Sequence, residues 1–71
     1  MSLAWLRIEF PKGCRVMLSE EGERTILHQV KPWLRRGTVV GYGRDGAVLY
    51  IHRDGTGQAQ PYGAMFWERY R

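Results

Sequence analysis

The tripeptide Arg-Asp-Gly occurs twice, at 44–46 and at 53–55, and this spacing constrains the chain more than any other feature. Each copy follows a run rich in β-branched and aromatic residues: Gly-Thr-Val-Val-Gly-Tyr-Gly at 37–43, and Ala-Val-Leu-Tyr-Ile-His at 47–52. Asp-Gly between such runs marks a tight hairpin, because glycine accepts a positive φ and aspartate tolerates it. Two reversals so close together impose three consecutive antiparallel strands, the third over 58–62. Pro61 has no N–H to give a central ladder, so that third strand belongs at a sheet edge.

Alternation then sorts the faces. If Leu49 and Ile51 point into the core, Val48, Tyr50 and His52 point away from it. Tyr42 joins that outer face provided Val39 points inward, giving a stripe of Tyr42, Tyr50 and His52 beside Arg44 and Arg53. Arg35 and Arg36 beside Trp33 form a second basic and aromatic cluster on the connection before the hairpins. The glycines at 37, 41 and 43 do not read as a phosphate loop, since no helix start follows them; they suit a strand that twists and bends. Gly41→Val is expected to cost stability.

The first half is less explicit. Ile8 and Phe10 alternate with Arg7 and Glu9 as in a short strand, although Leu3, Trp5 and Leu6 fit a helical turn equally well. Pro11 ends either element. Residues 14–18 read as a strand with Cys14, Val16 and Leu18 on one face. Residues 19–23, Ser-Glu-Glu-Gly-Glu, read as a polar turn, and 25–30 lean towards a strand through their β-branched residues. Residues 64–70 are too short for an independent helix and read as a single 3-10 or α turn, with room for a final short strand.

Seventy-one residues make one domain, 1–71, whose small core must draw on its aromatic residues or on self-association. The apolar residues between Leu3 and Phe10 make a homo-oligomer one expectation. The lone Cys14 excludes an internal disulfide and suggests a reducing compartment. Neither a signal peptide nor a membrane-length apolar run stands out, so the expectation is a cytoplasmic protein without membrane partners. The formal charge is +4, and nine of the eleven basic residues are arginine, which leans towards an acidic or polyanionic partner.

Catalytic residue types are sparse. Cys14, His28 and His52 show no metal-ligand spacing, and Glu20, Glu21 and Glu23 crowd one polar stretch rather than forming a spaced acid–base pair. No catalytic residue, metal site or cofactor is expected. The chain reads as a non-enzymatic binding module.

Residues 36–55, with Gln-Pro-Tyr at 60–62, resemble the small SH3-like barrel proteins of bacteriophage and prophage genomes. Those share Gly-Thr-Val-Val-Gly, a hairpin, a hydrophobic strand ending in Asp-Gly, and a Tyr before a terminal apolar turn. The resemblance implies an all-β fold, a small five-stranded SH3-like barrel with a short closing 3-10 or α turn, in a bacterial host's cytoplasm. It is also consistent with a phage-type adaptor or inhibitor that contacts a protein partner through the barrel face or an edge strand. A looser likeness, through Gln60, Tyr62, Glu68 and Arg69, is to the plasmid-encoded type II dihydrofolate reductases, which are tetrameric. Pro61 departs from their pattern where a backbone N–H would meet substrate. The binding residues expected are Trp33, Arg35, Arg36, Tyr42, Arg44, Tyr50, His52, Arg53 and Tyr62, for a protein partner or, alternatively, a nucleic acid.

Overall fold

The computed structural model describes residues 3–26, 35–44 and 47–70. In chain order these form α1 (Leu3–Glu9), β1 (Arg15–Leu18), α2 (Glu20–Ile26), β2 (Arg36–Tyr42), β3 (Val48–Arg53), β4 (Gln60–Gly63), a 3-10 turn (Ala64–Phe66) and β5 (Trp67–Arg69). The fold is mostly β: one antiparallel five-stranded sheet in the order β4-β3-β2-β1-β5, with two short helices. The outer strands β4 and β5 do not pair with each other, so the sheet is not closed into a barrel. No helix among the described residues is long and apolar enough to cross a membrane.

The hairpin β2–β3–β4 forms as the two Asp-Gly turns require. Gly55 takes φ 85°, the left-handed conformation that suits the second reversal to glycine. The first reversal, at Asp45 and Gly46, lies outside the described residues, but Gly43 N–H donates to the Val48 carbonyl at its base, 2.9 Å. Leu49 and Ile51 are fully buried, Tyr50 and His52 are exposed, and β4 is an edge strand bearing Pro61. The core gathers Leu6, Phe10, Val16, Leu18, Val39, Leu49, Ile51, Ala64 and Trp67.

The N-terminal segment is a helix and not a strand. A strand would put Leu6, Ile8 and Phe10 on one face, whereas Leu6 and Phe10 are buried and Ile8 is 74% exposed. Residues four apart share a helix face, and burying that pair against the sheet outweighs the short alternation of residues 7–10. The expected polar turn at 19–23 is likewise the start of a helix, which also takes up Thr25 and Ile26; residues 27–30 of the expected strand lie outside the described residues. Ser19 is its N-cap, accepting from Gly22 N–H on Oγ at 3.1 Å, and the acids at 20, 21 and 23 favour a helix N-terminus.

Ser19 also ties α2 to the 3-10 turn. Its N–H donates to the Phe66 carbonyl at 2.9 Å, and its Oγ donates to the Met65 carbonyl at 2.8 Å. Gly22 packs so closely there that a Cβ would overlap the Phe66 carbonyl oxygen and come within 2.9 Å of Leu18 Cδ2. Gly41 is different: a Cβ there meets only Tyr50 Cβ, at 3.9 Å, which is ordinary contact, so the cost expected at this position does not arise from crowding by a methyl group. Gly22→Ala is therefore expected to destabilise by about 1–3 kcal/mol through overpacking, with Gly41→Ala within about 0.5 kcal/mol of the parent. Urea denaturation of the two variants measures both; equal midpoints would contradict the close approach at Gly22.

Candidate binding surface

The outer face of the sheet carries only part of the expected stripe. Tyr50, 39% exposed, and His52 stand on it, with Arg44 exposed at the hairpin tip. His52 Nε2 lies 2.7 Å from the Thr56 carbonyl. Tyr42 does not join them, even though Val39 is buried as required. A bulge between Val39 and Gly41 inserts one residue, so Gly41 opposes Tyr50 and Tyr42 opposes the inward Leu49. Tyr42 packs against the core, and its hydroxyl donates to the Phe10 carbonyl at 2.7 Å, which fixes the C-terminal end of α1 where Pro11 ends the helix.

Arg53 also leaves the stripe. Alternation puts it on the face of Leu49 and Ile51, half-buried, where Nη1 donates to the Tyr62 hydroxyl at 3.2 Å and the guanidinium lies 5.5 Å from the Tyr62 ring centroid. Tyr62 opposes Leu49, so it also points inward, with its ring edge-on to Trp67 at 5.4 Å. Trp33 lies outside the described residues, as does His28. Arg35 lies 3.9 Å from Glu23, and Arg36 stacks on Tyr70 at 4.8 Å.

Several of the arginines are thus engaged within the molecule. Arg15 grips Asp54 through two nitrogens, at 2.8 and 2.6 Å, and adds a bond to Thr38 Oγ1. Arg24 pairs with Glu20 and Glu21, and Arg7 lies over the Tyr42 ring. The hydrogen bonds from Arg15, with its charge, hold the Asp54 carboxyl below the usual carboxylate range. Burial pushes the Cys14 thiol up, which suits a packing residue more than a nucleophile.

A different surface, one that no run of sequence announces, lies at the other end of the sheet. A cavity of about 710 Å³ runs between α1 and β5, walled by Trp5, Glu9 and Phe10 on one side and by residues 64, 65 and 67–70 on the other, with Met17. Trp5 is 39%, Met65 68% and Tyr70 43% exposed, so apolar groups rim it. Trp67 forms part of the wall, and its Nε1–H is buried with no partner among the described residues.

The backbone of β5 completes the picture. Tyr70 N–H donates to the Arg15 carbonyl at 2.9 Å and Ser19 N–H to that of Phe66 at 2.9 Å. In an antiparallel ladder these bonds fall on alternate residues, so the backbone groups of Trp67 and Arg69 point away from β1. Trp67 N–H turns back to the Ala64 carbonyl. Among the described residues no strand pairs with this side of β5, so its edge offers the Trp67 carbonyl and both backbone groups of Arg69, directly beside the cavity. No family model, no curated protein and no solved structure matches this chain.

Two outcomes follow for the residues that left the stripe. Tyr42→Phe should cost about 0.5–1.5 kcal/mol by leaving the Phe10 carbonyl without its partner, whereas Tyr50→Phe should be neutral; thermal unfolding compares them, and equal melting temperatures would remove Tyr42 from its anchoring role. The Arg15–Asp54 pair, with Asp54's folded pKa below its unfolded value near 3.9, contributes stability above that value and loses it as pH falls through the folded pKa. Both groups are exposed, so solvent screening keeps the contribution under about 1 kcal/mol. Denaturation between neutral and acid pH should show Asp54→Asn less stable than the parent, by a margin that shrinks on acidification; a constant margin would contradict it.

Proposed function

We infer that this chain is a non-enzymatic protein-binding module, a small SH3-like barrel of phage type, that takes an extended segment of its partner along the outer edge of β5. The observation that carries the reading is the coincidence of a strand edge unpaired among the described residues with a cavity edged by Trp5, Met65 and Tyr70. Backbone pairing supplies affinity without regard to sequence, and the cavity beside it selects a side chain. The strand order supports the barrel assignment, since the outer strands β4 and β5 are joined directly by a 3-10 turn.

The other sheet edge suits a partner less well. In an edge strand the missing N–H of proline belongs on the solvent side, so Pro61 removes a donor from β4 where an added strand would need it. Nucleic-acid binding is the weaker reading because Arg7, Arg15, Arg24, Arg35, Arg36 and Arg53 all engage neighbouring side chains. Tyr42 and Arg53 also point away from the outer face that a single strand would stack on. An adaptor or inhibitor acting on a host protein fits this division of surfaces.

A peptide library displayed on phage and selected on the immobilised protein tests the reading directly. Selected peptides should shift the amide resonances of residues 5, 9, 65 and 67–70 in a heteronuclear correlation spectrum. Met65→Arg should abolish the shifts without unfolding the protein, because Met65 is largely exposed. Shifts confined to Tyr50, His52 and Arg44, or binding only to oligonucleotides with a steep salt dependence, would overturn it.

A further inference from the structure

The groups on β5 specify what the added strand must carry. We propose that the occupant of this edge is an extended peptide with a basic residue opposite Glu68, flanked by a bulky apolar residue that enters the cavity between α1 and β5. The proposal rests on the strand-addition reading and states its selectivity.

Register comes first. Arg69 is the one β5 residue with both backbone groups facing outward, and the Trp67 carbonyl is the third group on offer. A strand that uses all three must set one residue opposite Glu68. Directly opposed side chains in a sheet project to the same face, about 4.5–5.5 Å apart at Cβ. Glu68 opposes Met17 and projects to the outer face, exposed, so the partner residue there meets a carboxylate. The residue opposite Trp67 projects to the face of Leu18, where Leu6 of α1 and Phe10 just after it also pack, and reaches the cavity edged by Trp5 and Met65.

A second copy of this chain meets the requirement poorly. Two-fold symmetric antiparallel pairing places the residue on the axis opposite its own copy. A register centred on Glu68 opposes two carboxylates, and one centred on Arg69 opposes two guanidinium groups; like charges directly opposed are destabilising. A register centred on Trp67 needs the N–H already bonded to Ala64. Charge complementarity therefore selects a foreign strand, basic where β5 is acidic.

The same three backbone groups serve a strand of either direction, so the probe is a palindrome: the blocked peptide Thr-Thr-Phe-Lys-Phe-Thr-Thr. Its Kd is measured by fluorescence anisotropy on the full chain, beside the analogue with Glu for Lys and the analogue with Ser for both Phe. The Lys peptide should bind at least about fivefold more tightly than the Glu peptide, with the order reversed on Glu68→Lys. The Ser analogue should lose binding. Both Phe peptides should shift residues 67–70. Equal Kd for Lys and Glu peptides, or a Lys preference that survives Glu68→Lys, overturns the proposed selectivity while strand addition stands. If no Phe peptide shifts residues 67–70, strand addition itself fails, and the selectivity with it. Because Glu68 is exposed, its substitution leaves the core intact; a folded-state spectrum of the variant checks this.

Discussion

Two backbone hydrogen bonds, from Ser19 N–H to the Phe66 carbonyl and from Tyr70 N–H to the Arg15 carbonyl, hold β5 in register against β1. The surface at this end of the sheet depends on them. They bracket a strand of three residues that would not persist alone, and they determine which of its groups face outward. Had the register slipped by one residue, Trp67 would leave the core and Glu68 would enter it. Trp67 in the core and Ser19 at the cap of α2 thus specify the same register from opposite ends.

The second consequence is the division of the sheet into unlike edges. β4 ends the sheet with a proline, and β5 ends it with hydrogen-bonding groups unpaired among the described residues, beside a cavity edged by Trp5, Met65 and Tyr70. Edge strands are hazards that proteins usually blunt, so an edge left open next to Trp5, Met65 and Tyr70 singles itself out as a binding surface. The outer face of the sheet, by contrast, is occupied by its own contacts. Arg15 holds Asp54, Arg36 covers Tyr70, and His52 meets the Thr56 carbonyl. Arg15, Arg24 and Arg35 pair with acids of the same chain, which breaks up the positive charge on the surface.

The hairpins were legible because their signals are local. Asp-Gly needs only adjacent residues, and alternation at 49, 51 and 52 needs only a count of two. That same count places Arg53 inward with Leu49 and Ile51, a consequence the basic and aromatic stripe overlooked. Tyr42 was not legible, because a bulge at Val39 and Gly41 changes its face without changing any residue type. The helices were harder to read for another reason: the residues of α1 fit a strand and a helical turn equally well, and the start of α2 reads as a polar turn. Each spans seven residues, below the length at which periodicity is firm, and each is stabilised by tertiary contacts: Leu6 and Phe10 in the core, Gly22 against Phe66. Ser19 followed by acids was the available signal for α2. The cavity beside β5 draws its walls from residues 5–17 and 64–70, and nothing in either segment alone points to the other.

Amide hydrogen exchange in the unliganded protein tests the orientation of β5 most directly. Glu68 and Tyr70 N–H should be protected by β1, while Arg69 N–H, facing outward, should exchange at close to the rate of an unstructured amide. Protection of Arg69 equal to that of its two neighbours would show that this edge is already paired, and the binding surface described here would not exist.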